Sequence, residues 1–256
     1  MYKIDLNSDL GEGFGAYKAG LDDKIIPLIS SANIACGFHA GDPLIMSKTV
    51  ELCKQNGVCA GAHPGFPDLV GFGRRNLNAS PAEVKAMMTY QVGALAAFCS
   101  SQGIKLSHVK PHGALYNMAA KDYSLAKAIC EAVYEFDKDL VLLALSGSQM
   151  QKAASEVGTA FAAEVFADRA YEDDGTLVAR SKPGAMITDE NEAVARTVEM
   201  IKEKRVKTVN GNYISIEPHS VCVHGDSEKA LLFVEKIRAG FAANGIEICP
   251  IKDIIG

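Results

Sequence analysis

The sequence predicts an α/β fold, an irregular (β/α) TIM-like barrel with seven or eight strands, with residues 1–256 forming a single domain. Three observations predict it. Short apolar runs alternate with amphipathic segments along the whole chain, as in a parallel sheet with crossover helices. Polar clusters stand just after most of those runs, as when site groups gather at the carboxyl ends of barrel strands. The length of 256 residues suits one barrel, and a hydrophobic content of 48% supplies its core.

The strands follow in order. Residues 2–7 form the first, and Asp5-Leu6-Asn7-Ser8-Asp9-Leu10-Gly11-Glu12 spans its end. Residues 31–36 form the second, running into Asn33-Ile34-Ala35-Cys36-Gly37-Phe38-His39-Ala40-Gly41-Asp42. Residues 58–63 lead to His63-Pro64-Gly65 and Asp68, and residues 107–111 to Lys110-Pro111-His112-Gly113. Residues 140–145 and 160–166 follow, the latter with Glu164 and then Asp168-Arg169. Residues 221–224 end at His224-Gly225-Asp226, and residues 247–250 close the series. These runs are short and mostly apolar, as expected of strands buried on both faces.

Helices are expected at residues 43–56, 81–102, 123–136, 148–157, 190–205 and 227–244. Asp42 is a good N-cap before Pro43. Ser80-Pro81-Ala82-Glu83 is a capping box, and Gly103 stops the helix it opens. Residues 206–216 read as a β-hairpin with a tight Asn210-Gly211 turn that decorates the barrel. The chain has no linker, low-complexity stretch or obvious repeat.

Composition excludes several classes. No run approaches the length of a membrane span, and Met1 leads straight into a strand, which leaves no room for a signal peptide. With 31 acidic and 26 basic residues the net charge is −5, no footprint for nucleic acid. Seven cysteines without a CxxC pair read as reduced thiols of a cytoplasmic protein, Cys36 standing out inside a polar cluster. There is no Walker phosphate loop, no GxGxxG after a strand and no nucleophile elbow.

The clusters carry chemistry. Alternation along a strand puts Asp5, Asn7 and Asp9 on one face if the first strand persists to Asp9. Neighbouring carboxylates can set an acid beside a base; a polar strand end that caps a loop is the alternative, disfavoured because three polar groups on an inward face are costly without a task. His39, His63 and His112 sit in small-residue turns at strand ends, suited to metal ligation or base catalysis near neutral pH. Lys110 faces the mouth to neutralise phosphate or polarise a carbonyl, or else pairs with Asp5 or Glu164. Arg74 and Arg75, in the loop Gly71-Phe72-Gly73-Arg74-Arg75, can clamp a phosphate or carboxylate or lie solvated. His108 is read as structural and out of register with Lys110 and His112; His219 is read as exposed.

Taken together these clusters, with Phe72-Gly73-Arg74-Arg75, Val109-Lys110-Pro111-His112-Gly113-Ala114-Leu115-Tyr116-Asn117, Phe166-Ala167-Asp168-Arg169-Ala170-Tyr171 and Val223-His224-Gly225-Asp226, resemble the LamB/YcsF family. The likeness covers essentially the whole chain. It implies a barrel and an ATP-dependent 5-oxoprolinase activity that opens the lactam ring of 5-oxo-L-proline to L-glutamate. It implies ATP as co-substrate, with Mg²⁺, and 5-oxoprolinase subunits B and C as partners. On that implication Lys110 and Arg169 form a cationic clamp. Asp9, His63 and His112 activate water directly or through a divalent metal, and Glu164 or Asp5 is the acid. Asn7 and His39 complete the catalytic set, with Arg74, Asp168, Arg169 and His224 holding substrate or phosphate. A weaker resemblance, to metal-dependent carbohydrate deacetylases of the YdjC type, gives a stand-alone amidohydrolase instead, with Asp9, His63 and His112 about the metal. A non-catalytic substrate-binding subunit is the third reading.

Overall fold

Seven parallel strands close on themselves, and an eighth lies outside the ring. The computed structural model describes residues 1–223 and 228–255. The chain runs β1 (Tyr2–Leu10), α1 (Asp22–Ile25), a 3₁₀ turn (Ile26–Leu28), β2 (Ser31–Ala35), α2 (Pro43–Asn56) and β3 (Cys59–His63). Then come α3 (Pro81–Ser101), β4 (His108–Val109), α4 (Gly113–Ala119), α5 (Tyr123–Phe136), β5 (Val141–Leu145), α6 (Gln149–Val157) and β6 (Ala160–Phe166). After these follow α7 (Glu190–Glu203), β7 (Arg205–Lys207), β8 (Tyr213–Ser215), β9 (Ser220–Cys222), α8 (Glu228–Ala243), β10 (Ile246–Ile248) and α9 (Lys252–Ile255). The ring order is β1-β2-β3-β4-β5-β6-β9 and back to β1. The last expected strand, β10, pairs with β1 alone among the described residues, opposite Tyr2 to Ile4. Strand β7 pairs antiparallel with β8 in a separate hairpin, and Asp173 accepts from Asn210 and Asn212 of its turn at 3.0 Å each.

Caps legible in the sequence are where the chain turns. Asp42 accepts from the amides of Leu44 and Ile45, and Gly57 ends α2 at φ +67. Ser80 and Glu83 form the reciprocal capping box of α3. Helices α1, α4 and α9 lie beyond those expected, and no membrane-length apolar helix exists among the described residues.

The two faces of the strands divide the protein. Outward residues such as Leu6, Ile34, Ala62, Val109, Leu142 and Val221 join the main core beneath the helices. The bottom of the barrel is plugged by Val141, Leu143, Ala162 and Ile251, the last on the approach to α9. Above this plug the inner face is largely polar, with Leu145 and Phe166 reaching the cavity. Asp5, Asn7, Ser31, Asn33, His108, Glu164 and Ser220 are all fully buried. Such groups cost stability unless hydrogen-bonded, so the interior is a network. Asn7 donates to Ser220 at 2.8 Å and accepts from Asn33 at 2.8 Å.

His108 belongs to that network, and the register expected for it is wrong. Residues 108, 110 and 112 are spaced by two and share the inner side. The His108 ring leans across Gly61, its register partner, so that Nε2 lies 2.8 Å from Asn33 Oδ1. A Cβ on Gly61 would fall 2.1 Å from that nitrogen. Gly61→Ala is therefore expected to cost about 2–3 kcal/mol through overpacking. Chemical denaturation measures it, and the double variant with His108→Ala recovers part of the loss if the ring is the cause. His219 is half-buried rather than exposed, its Nδ1 accepting from the Ala163 amide at 3.0 Å.

Asp5 sits low in the barrel. It accepts from Ser30 at 2.7 Å, from Ser31 at 2.6 Å and from Ser220. Burial raises its pKa from 3.8 to about 6; the three hydroxyls oppose the rise and Glu164 adds to it. The folded state thus binds this proton more tightly than the unfolded one. Its contribution is complete below the unfolded value and lost as pH rises through the folded value, about 3 kcal/mol in all. Asp5→Asn is expected to remove that slope, so the variant gains on wild type between pH 4.5 and 7 in urea denaturation. Parallel pH profiles would show that Asp5 does not titrate in this window.

Candidate functional site

The carboxyl ends of the strands surround a cavity of about 390 Å³. Asp9, Glu12, His63, Lys110 and His112 line it, together with the basic side chains Arg74, Lys121, Arg169 and Arg180. Tyr116, Leu145 and Phe166 fill in between.

Lys110 is the centre of charge. Its Nζ lies 2.9 Å from Asp9 Oδ1, 2.8 Å from Glu164 Oε1, 3.2 Å from Asn7 Oδ1 and 3.2 Å from Cys222 Sγ. Burial alone would lower its pKa; Asp9, the Cys222 sulfur and Glu164 outweigh that and hold it well above the usual lysine range. Glu164 accepts from the Tyr116 hydroxyl at 2.7 Å through its other oxygen. Asp9 Oδ1 also accepts from Asn33 at 2.9 Å.

Three histidines stand beside this ion cluster. His63 Nδ1 donates to the Lys110 carbonyl at 2.7 Å, and His112 Nε2 donates to the Phe72 carbonyl at 2.8 Å. Their remaining nitrogens, His63 Nε2 and His112 Nδ1, are 2.9 Å apart. The His39 ring stacks on His112 with centroids 3.7 Å apart and planes 3° apart. Burial first, and neighbouring imidazoles second, hold His39 and His112 well below the ordinary histidine pKa, so both are neutral near pH 7.

Local backbone brings these groups together. Gly11 takes φ +68 just after β1, which turns Glu12 back to the mouth. Phe72 and Gly73 take φ +54 and +63, and this strap lies on the histidines. A Cβ on Gly73 would fall 2.7 Å from His39 Cβ and 2.8 Å from His112 Cδ2. Arg75 forks onto Asp68 to anchor the strap, which leaves Arg74 over the Phe72 ring at 5.0 Å and on the cavity wall.

Of the residues expected at the site, Asp9, His63, Lys110, His112, Arg74 and Arg169 line the cavity. Asn7 and Glu164 lie just beneath, bonded to Lys110, and His39 lies behind His112. Asp5 and Asp168 do not line the cavity. His224 lies outside the described residues. Cys36 is buried and donates to Ile34 O at 3.1 Å; burial pushes its thiol up to about 12, so it carries no thiolate chemistry. Sequence reasoning missed Glu12 and Tyr116 as site residues. Glu12 stood in the first polar cluster, and Tyr116 one helical turn past His112.

The residues expected to hold a metal are adjacent: Asp9 Oδ2 is 3.4 Å from His63 Nε2. A larger donor group omits Asp9 and comprises Glu12, His39, His63 and His112, whose ligand atoms lie within 4.8 Å of one another.

A closed parallel barrel with charged and imidazole groups converging at its carboxyl mouth defines the class: a (β/α) barrel built like an enzyme. A profile of the LamB/YcsF family matches residues 4–256, and the chain belongs to that family. Among its relatives, the 5-oxoprolinase A subunit of Clostridium beijerinckii is 63% identical over 99% of this chain and 100% of that protein. The protein of the same name from Pyrococcus abyssi is 51% identical over 99% and 100%. The crystal structure of the lactam utilization protein from Thermus thermophilus superposes with a TM-score of 0.91 at 44% identity, covering 96% of this chain and 99% of that one.

Proposed function

We propose that this chain is the A component of an ATP-dependent 5-oxoprolinase, working in the cytoplasm with partner subunits B and C. The reading is carried by identity of 51–63% with proteins named as the A component of 5-oxoprolinase, along essentially their whole length. The cavity supplies groups suited to the chemistry.

A lactam carbonyl is a poor electrophile. Transfer of the γ-phosphoryl group from ATP to the lactam oxygen releases ADP and leaves an O-phosphorylated imidate. Water adds at the ring carbon, and the ring C–N bond breaks as nitrogen takes a proton, leaving a γ-glutamyl phosphate. A second water releases phosphate and L-glutamate. Lys110 and Arg169 offset the negative charge that develops on oxygen and phosphate. Arg74 and Arg180 extend that cationic wall. The His63–His112 pair takes the proton from water and passes it to the ring nitrogen. Glu164 and Asp5 line no part of the cavity, so the acid role falls to this pair. Glu164 then acts as a positioning residue for Lys110 and Tyr116.

The test is stoichiometry. The chain assembled with its cognate partner subunits is expected to form one ADP and one phosphate for each glutamate released from 5-oxo-L-proline. Ring opening without ATP would overturn the reading.

A further inference from the structure

We infer that Glu12, His39, His63 and His112 form a binding site for one first-row transition-metal dication at the mouth of the barrel. The inference rests on these side chains alone; a cation held there would occupy the same two nitrogens that move the proton in the metal-free site, so the loaded and metal-free sites are distinct states.

A carbonyl oxygen can only accept, so His63 carries its proton on Nδ1 and His112 on Nε2. The two facing nitrogens are therefore both lone-pair atoms when the rings are neutral, and they are 2.9 Å apart. Two acceptors at hydrogen-bond distance repel one another, and a cation between them removes the conflict. A backbone carbonyl bonded to the distal ring nitrogen is also how proteins orient imidazoles that ligate metals.

The surroundings supply the other ligands. Glu12 Oε1 lies 3.6 Å from His112 Nδ1 and 3.4 Å from His39 Nε2. His39 is fully buried, and neither of its ring nitrogens has a hydrogen bond among the described residues. A buried imidazole without a hydrogen bond is costly, and ligation would satisfy it. The Gly65 and Gly73 backbones pass so close to His39 that a Cβ on Gly65 would fall 2.7 Å from its Nδ1 and one on Gly73 2.7 Å from its Cβ, which leaves the ring little room to move. Three imidazoles with a single carboxylate suit Zn²⁺, Mn²⁺, Fe²⁺ or Co²⁺, whereas Mg²⁺ and Ca²⁺ prefer oxygen ligands. Glu12, His63 and His112 line the cavity and His39 does not, so the cation's open side faces the ligand space. Asp9 stands outside this donor group; its Oδ1 is taken by Lys110 and Asn33, and its Oδ2 lies 3.4 Å from His63 Nε2.

The probe is Zn²⁺ alone, titrated calorimetrically into the full chain after chelator treatment. One equivalent is expected to bind, and His39→Ala and Glu12→Gln are each expected to weaken binding by at least about tenfold. Nitrogen-15 NMR of histidine provides a reading on the unaltered chain: Zn²⁺ shifts His63 Nε2 and His112 Nδ1, and leaves His63 Nδ1 and His112 Nε2 protonated. Absence of stoichiometric binding would overturn the inference, as would equal affinity in both variants. So would NMR in which a proton resides between His63 and His112 and Zn²⁺ leaves their signals unchanged.

Discussion

Lys110→Met is expected to destabilise the protein by about 3–5 kcal/mol, more than any other single substitution considered. Methionine fills much the same volume but leaves Asp9 and the fully buried Glu164 without their cation. Each carboxylate must then stay charged without its ammonium partner, or take up a proton. The wild-type lysine, its pKa raised, contributes in full below the unfolded value near 10.5 and loses that contribution only as pH rises through the higher folded value. Any pH dependence of the deficit between pH 5 and 8 therefore comes from the stranded carboxylates, and the deficit shrinks as the medium becomes acidic. Urea denaturation of both proteins at pH 5 and pH 8 measures it. A deficit under about 1 kcal/mol at pH 8 would place Lys110 among weak surface-type pairs.

His63→Ala is expected to lower kcat by about 10²–10⁴, the span of a positioned proton-transfer group. His63 touches Asp9, Lys110 and His112 at once, through contacts of 3.4, 2.7 and 2.9 Å. Its loss removes the lone pair facing the cavity and leaves His112 Nδ1 without its imidazole neighbour. The Lys110–Glu164 pair lies deeper and keeps both partners, so the melting temperature is expected to move far less than in Lys110→Met. Measuring kcat and melting temperature on the same preparation separates the two effects. An equal fall in both would make His63 a packing residue.

Strand periodicity made part of the site legible. Alternation along β1 put Asp5, Asn7 and Asp9 on one face, and the structure carries that strand to Leu10. The same rule, applied to residues 108, 110 and 112, would have brought His108 inside. It could not tell height in the barrel: Asp5 and Asp9 share a face, yet one meets three serines and the other the cavity. Glu12 and His39 needed turn geometry, since the positive φ of Gly11 and the fold of the loop after β2 decide where they point. Tyr116 depended on α4, a helix that opens at Gly113 with no side-chain cap to announce it. The ring closed through β9 beside β6 only after the long excursion through α7 and the hairpin, and no local pattern encodes that pairing.

The most direct test is glutamate release from 5-oxo-L-proline by the partner subunits and ATP, with this chain supplied as wild type, supplied as His63→Ala, or omitted. Release is predicted with wild type only, with the assembled His63→Ala enzyme near the level of the omission. Release at the wild-type rate from the variant would contradict a catalytic barrel, leaving it to hold a ligand while the chemistry proceeds elsewhere.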